Sequence, residues 1–331
     1  MLKAKKRLSL ESFNEMEKGV IWQITDHAAN LPVTRYAETV GVKVPEALYR
    51  SGLYAASSGS RLIGETYLLN AKRSSLELGV AHGVYNYASS IGVKGALSQR
   101  QLQEQDLSEH SQVIQLPRYA ALNVPLGAVL RSRSQREMSG KPLKLEQLAT
   151  LLYYADGPSG QFDFNTHHDL PATETLGPDY KGVVRTSPSG GGLYPVSLYL
   201  VAINVKGLAR GLYRYLPLSQ SLQVVRVFSP DEQEQYFRLA DFGINVDSRK
   251  LGAAVYYVYS LYDNSRKYGD MALQFANIEA GEIAENLQLA ATALDLPATD
   301  IGGYEKGQTE QFMGLDGLTR HIIHLTLVGR S

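Results

Sequence analysis

The segment from residue 194 to residue 296 constrains the fold most, because strand-like runs alternate there with one long helical run. YPVSLYLVAINV (194–205) has apolar residues at nearly alternate positions, and AAVYYVYSLY (253–262) is rich in Val and Tyr. Between them, residues 207–227 are typical of a turn and a hairpin. Residues 276–296 predict a long helix with one apolar stripe, formed by Ile278, Ile283, Leu287, Ala290, Ala291 and Leu294. Since these elements follow no regular βαβ period, the pattern favours an α+β fold over a doubly wound sheet.

The flanking segments extend this prediction. LKLEQLATLLYYA (143–155) predicts a helix whose apolar face carries Leu145, Leu148, Leu151 and Leu152. Residues 156–182 contain Gly, Pro, Asp and Thr throughout, which predicts a long loop of the kind used as a lid or binding loop. HIIHLTLVG (321–329) predicts a closing strand.

The N-terminal third has a different texture. Apolar residues at helical spacing predict a helix between Leu10 and Leu31, and the polar run 98–112 predicts an exposed helix or linker. We therefore expect two parts: an accessory region, 1–115, and a main domain, 116–331. The accessory region is either a docking site for a peptide or partner, or scaffold.

Charge and cysteine content exclude several functions. The chain has no cysteine, which excludes disulfides, thiolate metal ligands and cysteine nucleophiles, so redox chemistry needs a bound cofactor. Lys and Arg together number 33, as do Asp and Glu, so no net charge attracts nucleic acid or an anionic membrane. Neither a signal peptide nor a membrane-spanning run is found, and a cytoplasmic location is expected.

RTSPSGGGLYP (185–195) places three glycines before a predicted strand. Glycines allow positive φ and let backbone N–H groups approach a ligand. The segment matches neither the G-x-G-x-x-G nor the GK[ST] nucleotide loop, and a strand rather than a helix follows. The glycines alone are therefore compatible with a ligand cradle or with an ordinary turn.

Two further clusters could carry chemistry. Three guanidiniums and a hydroxyl within six residues, Arg131, Arg133, Ser134 and Arg136, suit a phosphate or carbonyl-bearing ligand, although a solvated basic turn has the same composition. Arg266, Lys267 and Tyr268 follow the Val/Tyr strand, which predicts a position at its end.

A neighbouring lysine can lower the pKa of a tyrosine, and burial can lower that of a lysine, so either Lys267 or Tyr268 could act as a general base; the alternative is an ordinary surface pair. His167, His168 and Asp169 lie in the long loop without a metal-binding frame, so no metal site is predicted.

Taken in order, five segments resemble the SagB/McbC-type azoline dehydrogenases, a branch of the FMN-dependent nitroreductase superfamily. The resemblance covers about residues 120–331. It is carried by VPLGAVLRSRSQREMSGKPLKLEQLATLLYYADG, RTSPSGGGLYPVSLYLVAI, GLARGLYRYLPLSQSLQVV, SRKYGDMALQFANIEAGEIAENLQLAATALDL, and the final pair DIGGYEKG and LTLVGRS. It implies a nitroreductase-like FMN-binding fold, a mainly antiparallel sheet flanked by helices, in a homodimer that binds FMN at the subunit interface.

The resemblance also implies roles for individual residues. Lys267 and Tyr268 match the pair regarded as catalytic. Ser132 stands where the wider superfamily commonly has arginine, which leaves open whether Arg131 or Arg133 meets the FMN phosphate. The residues that match flavin-binding segments are Arg133, Ser134 and Arg136; Pro188, Ser189, Gly190 and Gly192, which reach the flavin from the other subunit; Ile301, Gly302 and Gly303, whose backbone lies by flavin N5; and Arg330.

The function implied by the resemblance is oxidation of azoline rings in a ribosomally made precursor peptide to thiazoles or oxazoles. The implied partners are that peptide and a YcaO-type cyclodehydratase with its partner subunit. Two alternatives stay open: a general NAD(P)H-dependent nitroreductase or flavin reductase that acts on small molecules, and a flavin-free scaffold subunit of a peptide maturation complex.

Overall fold

The main sheet of the protein has seven strands. The computed structural model describes residues 103–130, 134–163, 181–243 and 246–331. In the described chain every pairing of this sheet is antiparallel, and its strand order is β1-β6-β5-β4-β7-β9-β8. The strands are β1 (Val113–Gln115), β4 (Val196–Ala202), β5 (Gly211–Leu216), β6 (Ser221–Val227), β7 (Ala253–Ser260), β8 (Ala298–Asp300) and β9 (Arg320–Val328).

Two apolar cores lie on opposite faces of this sheet. In β7 all residues except Ser260 are buried, because successive side chains enter opposite faces and both faces are covered. Helices α2 and α5 cover one face, and α3 and α6 cover the other. The helices are α1 (Leu126–Val129), α2 (Leu145–Asp156), α3 (Pro230–Leu239), α4 (Leu261–Tyr268), α5 (Ala272–Ala293) and α6 (Lys306–Met313). The α+β prediction is confirmed.

The predicted helix faces are largely those observed. In α2 the residues Leu148, Leu151 and Leu152 are buried and Leu145 is half-buried. In α5 four of the predicted stripe residues are buried: Ile283, Leu287, Ala290 and Ala291.

The assignment of Ile278 to the α5 stripe is wrong, because its side chain is 50% exposed. It lies two residues, about 200° around the helix, from both Ala276 and Ala280, which form the buried face. Leu294 is half-buried and lies just beyond the last helical residue.

The predicted loop 156–182 is wrong at both of its ends. Strands β2 (Pro158–Asp163) and β3 (Lys181–Arg185) pair there as a separate two-stranded antiparallel sheet, and residues 164–180 lie outside the described part. Gly and Pro interrupt the alternating pattern that would reveal a strand. The two strands pair with each other, although they are not close in sequence.

Part of the predicted accessory region belongs to this fold. Residues 103–110 are helical and β1 pairs with β6, so both contribute to the described domain. The predicted helix between Leu10 and Leu31 lies outside the described residues, and the division at residue 115 stays a prediction. In the described segments, no helix combines the length and the apolar character needed to cross a membrane.

Candidate functional site

The triple-glycine segment lies where β4 begins. Gly190–Gly192 form a single 3-10 turn, with φ of +66° at Gly191 and +67° at Gly192. These values are in the left-handed region that only glycine enters at low cost, which explains two of the three glycines. All three glycines are exposed, so the backbone of this turn, the glycine loop, is accessible to a ligand.

A buried carboxylate holds the glycine loop against the sheet. Glu279 of α5 is 2% exposed and accepts hydrogen bonds from the Ser189 hydroxyl and from the Val196 backbone N–H, the latter at 3.2 Å. The Ser189 hydroxyl in turn accepts the N–H of Tyr194 at 2.8 Å. Sequence reasoning missed Glu279, although an acidic residue within the buried stripe of a helix was a visible signal.

A second buried pair lies on the N-terminal side of the loop. Asp156 at the end of α2 is 1% exposed and accepts hydrogen bonds from Arg185 and Ser187, both at 2.7 Å. The Arg185 guanidinium also lies 4.4 Å from the centre of the Tyr194 ring. The residues on both sides of the glycine loop are therefore anchored by buried, charge-assisted hydrogen bonds.

Lys267 and Tyr268 lie against the glycine loop. They belong to the last turn of α4, so the sequence-based placement of residues 266–268 at the end of a strand is wrong: β7 ends at Ser260 and the chain turns into a helix. A Cβ atom added at Gly191 would lie 2.5 Å from both the Lys267 Nζ and the Tyr268 Oη. The structure thus brings together the two polar groups and the glycine backbone.

Packing holds this pair in place. Buried Asn264 of α4 accepts a hydrogen bond from the Tyr259 hydroxyl and donates one to the Ala272 carbonyl, both at 2.8 Å. The Tyr268 ring lies edge-on to Phe275, with 4.8 Å between the ring centres. Burial lowers the pKa of Lys267, so its neutral form is more accessible than that of a solvated lysine.

The other predicted flavin residues that the structure describes lie in a second group, at β8 and the chain segments beside it. The Gln135 N–H donates to the Ala298 carbonyl at 2.9 Å, which places exposed Ser134 and Arg136 beside this strand. The Arg330 carbonyl accepts the Ser139 N–H at 2.7 Å, so the end of the chain runs along the same segment. Arg131 and Arg133 lie outside the described residues.

The loop after β8 joins this second group. The Ile301 N–H is occupied, because it donates to the Leu325 carbonyl at 3.0 Å. Gly302 and Gly303 are exposed, and a Cβ added at either would meet nothing within 4 Å. The open backbone at Gly302 and Gly303 suits a flat ring, and the hydroxyl of Ser134 and the guanidiniums of Arg136 and Arg330 suit a phosphate.

The two groups contact opposite ends of α5. A Cβ at Gly190 would lie 3.6 Å from Phe275, near the start of α5, whereas Gln288, nearer its end, donates to Asp300 of β8 at 2.5 Å. Phe275 and Gln288 are separated by about 20 Å at the rise of an α-helix. The glycine loop and the Lys267–Tyr268 pair therefore form one unit, and the Ser134–Arg136 and Ile301–Gly303 segments form another.

No metal site is found in the described segments, where no group of three His, Cys, Asp or Glu side chains could hold an ion. His167, His168 and Asp169 lie outside those segments.

Comparison with known proteins gives a consistent result. A family model described as the nitroreductase family matches residues 129–330. The chain is 25% identical over 201 residues to MJ1384 of Methanocaldococcus jannaschii, a protein named for that family, with 60% of this chain and 88% of that protein covered. A nitroreductase-type crystal structure from Ralstonia eutropha has a TM-score of 0.50 and 24% identity, covering 66% of this chain and 89% of that one, which supports the fold alone.

The chain is also 31% identical over 181 residues to the microcin B17-processing protein McbC of Escherichia coli. This match covers 53% of the chain and 64% of McbC, slightly less than two thirds of the relative. It agrees with the resemblance to the SagB/McbC-type enzymes seen in the sequence.

Proposed function

The chain belongs to the nitroreductase family, and we propose that it is an FMN-dependent dehydrogenase that oxidises azoline rings in a ribosomally made peptide. The observation that carries this proposal is the contact of Lys267 and Tyr268 with the glycine loop. A small-molecule reductase needs no lysine and tyrosine placed to remove a proton, whereas the oxidation of an azoline does. The similarity to McbC supports the peptide as substrate.

In this proposal FMN is held by both groups of the site. Ser134, Arg136 and Arg330 would bind its phosphate, and the backbone at Gly302 and Gly303 would lie by its ring. The two groups contact α5 at positions about 20 Å apart along the helix, which favours a homodimer in which the glycine loop of a second copy closes the site. When bound, FMN supplies the acceptor for the hydride that leaves the ring, and oxygen regenerates it.

The residues of the chain provide the base. An azoline loses a proton from the ring carbon next to both the C=N bond and a carbonyl, and a hydride from the neighbouring carbon. We assign the proton to the Tyr268 oxygen, with Lys267 in its protonated form favouring the phenolate. Both polar atoms lie next to exposed backbone at Gly191, so a peptide bound there has its ring within reach of the base.

The test compares Lys267→Ala and Tyr268→Phe with Tyr262→Phe. Tyr262 lies on the same helix but is 56% exposed, which makes it a matched control. Each variant is loaded with FMN and given an azoline-containing peptide, and mass spectrometry follows the loss of two hydrogens. We expect the two site variants to retain FMN and lose about 10²–10⁴-fold in rate, the usual contribution of a general base. Wild-type rates in both would refute the assignment.

The same experiment separates the rival functions. Rapid reduction of bound flavin by NAD(P)H, without oxidation of the peptide, would indicate a general nitroreductase or flavin reductase. A colourless protein that does not rebind FMN but binds peptide would indicate a scaffold subunit. In the function that we propose, the partners are a YcaO-type cyclodehydratase with its partner subunit, and the enzyme acts in the cytoplasm.

A further inference from the structure

A polar cleft of about 280 Å³ lies at the end of the main sheet where β4 and β9 begin and β5 and β7 end. Its walls include Ser197 of β4, Arg214 of β5, Asp263 of α4 and Arg320 of β9. Helical residues 103–110 contribute another wall. None of the residues assigned to flavin binding or proton removal lines this cleft, so the site already described does not account for it.

Two arginines dominate its chemistry. The guanidiniums of Arg214 and Arg320 both lie 5.7 Å from the centre of the Tyr199 ring, and Arg320 donates a hydrogen bond to the Tyr199 hydroxyl. Within the described chain, neither arginine forms an ion pair with a carboxylate. Two guanidiniums thus lie over one aromatic ring, and neither forms a direct ion pair in the described segments.

The Arg214 side chain has unused donor capacity. Its Nε is buried and has no hydrogen-bond partner, and its Nη2 lies at 3.5 Å from the Ser197 hydroxyl, the limit for a hydrogen bond. Buried donors are nearly always satisfied, so the guanidinium of Arg214 has hydrogen-bonding capacity that the described chain does not use. Asp106, an acidic residue in the lining, pairs instead with His110 at 3.0 Å. The planar fork of arginine fits a carboxylate best.

Helix α4 connects this cleft to the proposed catalytic pair. Asp263 lines the cleft, and Lys267 and Tyr268 follow four and five residues later on the same helix. At the rise of an α-helix these positions are about 6–8 Å apart, a distance that two to three residues of extended peptide cover. A peptide bound at Lys267 and Tyr268 can therefore extend to the two arginines.

We propose that the Arg214–Arg320 cleft binds a carboxylate group of the substrate peptide, a few residues from the ring that is oxidised. The choice of a peptide as ligand rests on the proposed function; the carboxylate chemistry does not. The acid is either an Asp or Glu side chain or the C-terminal carboxylate of the peptide.

Binding of short peptides to the full chain tests this inference, without flavin turnover. Three probes are titrated by calorimetry at low salt: an acetylated and amidated Gly-Gly-Asp-Gly-Gly, its Asn counterpart, and an acetylated pentaglycine with a free C-terminus. The proteins are the wild type, Arg214→Gln, Arg320→Gln, Arg320→Lys and, as control, Arg238→Gln. Arg238 is an exposed residue of α3 outside the cleft lining.

We expect the Asp probe to bind and the Asn probe not to bind. Each cleft Arg→Gln change should weaken binding about tenfold, the loss of one charge-assisted contact, while Arg238→Gln should have no effect. Arg320→Lys keeps the positive charge but lacks the planar fork of donors, so its affinity for the Asp probe should lie between that of the wild type and that of Arg320→Gln. Binding of the pentaglycine acid alone would assign the C-terminal carboxylate as the ligand.

The inference is overturned if the Asn probe binds as tightly as both acidic probes, or if none of the three probes binds. Wild-type affinity in both Arg→Gln variants would also overturn it. Because binding is measured without oxidation, a failed dehydrogenase assay leaves this result standing. Failed binding likewise leaves the assignment of Lys267 and Tyr268 untouched.

Discussion

Alanine at Gly191 and at Gly192 should have the same effect on stability and different effects on activity. Both glycines have nearly the same left-handed φ, +66° and +67°. A side chain in this region costs about 1–2 kcal/mol. For a domain of this size each variant should therefore lose roughly 2–8 °C in Tm. Scanning calorimetry measures this shared loss.

Only the Gly191 methyl meets the proposed catalytic pair. Its Cβ would lie 2.5 Å from the Lys267 Nζ and the Tyr268 Oη, whereas a Cβ at Gly192 meets nothing within 4 Å. Ordinary contact begins at 3.4 Å, so in Gly191→Ala both polar groups must move by nearly 1 Å. A misplacement of that size can cost about 10²-fold in rate.

The assay is oxidation of an azoline peptide by both variants, each saturated with FMN. Gly191→Ala should be about 10²-fold slower than Gly192→Ala at similar Tm. Equal rates in the two variants would show that the exact position of these side chains does not matter, and would refute the reasoning.

Two other predictions concern buried charges. Asp156→Ala leaves Arg185 buried without the carboxylate that it pairs with, and should cost about 3–5 kcal/mol in the free energy of unfolding measured with urea. The control is Glu234→Ala, which breaks an exposed pair with Arg249 at a similar N···O distance and should change stability little. Burial lowers the pKa of Lys267, so the unfolded chain binds the proton of this lysine more tightly than the folded chain does. The free energy of unfolding should therefore rise with pH between the folded and the unfolded pKa of Lys267. Lys267→Met should remove that rise in unfolding measured from pH 7 to 10.

The fold could be predicted well wherever the pattern is local. The Val/Tyr strand, the hairpin and helices α2 and α5 are visible because burial repeats at the period of each element. Strands β2 and β3 were not predicted because their pairing joins residues 18 to 27 positions apart in the sequence. Gly and Pro within β2 also interrupt the alternation that would reveal a strand. Helix α4 was not predicted because it follows β7 directly, with no turn residue to mark the end of the strand.

The site could be predicted in composition but not in arrangement. Lys267, Tyr268 and the glycine loop were each visible, yet their contact depends on how α4 folds back onto the start of β4, which no motif encodes. Glu279 lies 90 residues from Ser189 in sequence and next to it in space. Arg214 and Arg320 meet only because β5 and β9 flank the same pair of central strands.

The separation of the two groups makes the proposed dimer testable. Arg136→Ala should impair the flavin group, and Lys267→Ala the catalytic group, so each homodimer is inactive. In a mixed dimer, one of the two sites receives its flavin group from the Lys267→Ala copy and its catalytic group from the Arg136→Ala copy, and is intact. If the copies exchange at random, half of the dimers are mixed, and the mixture should recover about a quarter of wild-type activity. The assay mixes the variants after mild dissociation and follows peptide oxidation. A mixture as inactive as its components, although mass spectrometry detects mixed dimers, would show that one chain supplies both groups.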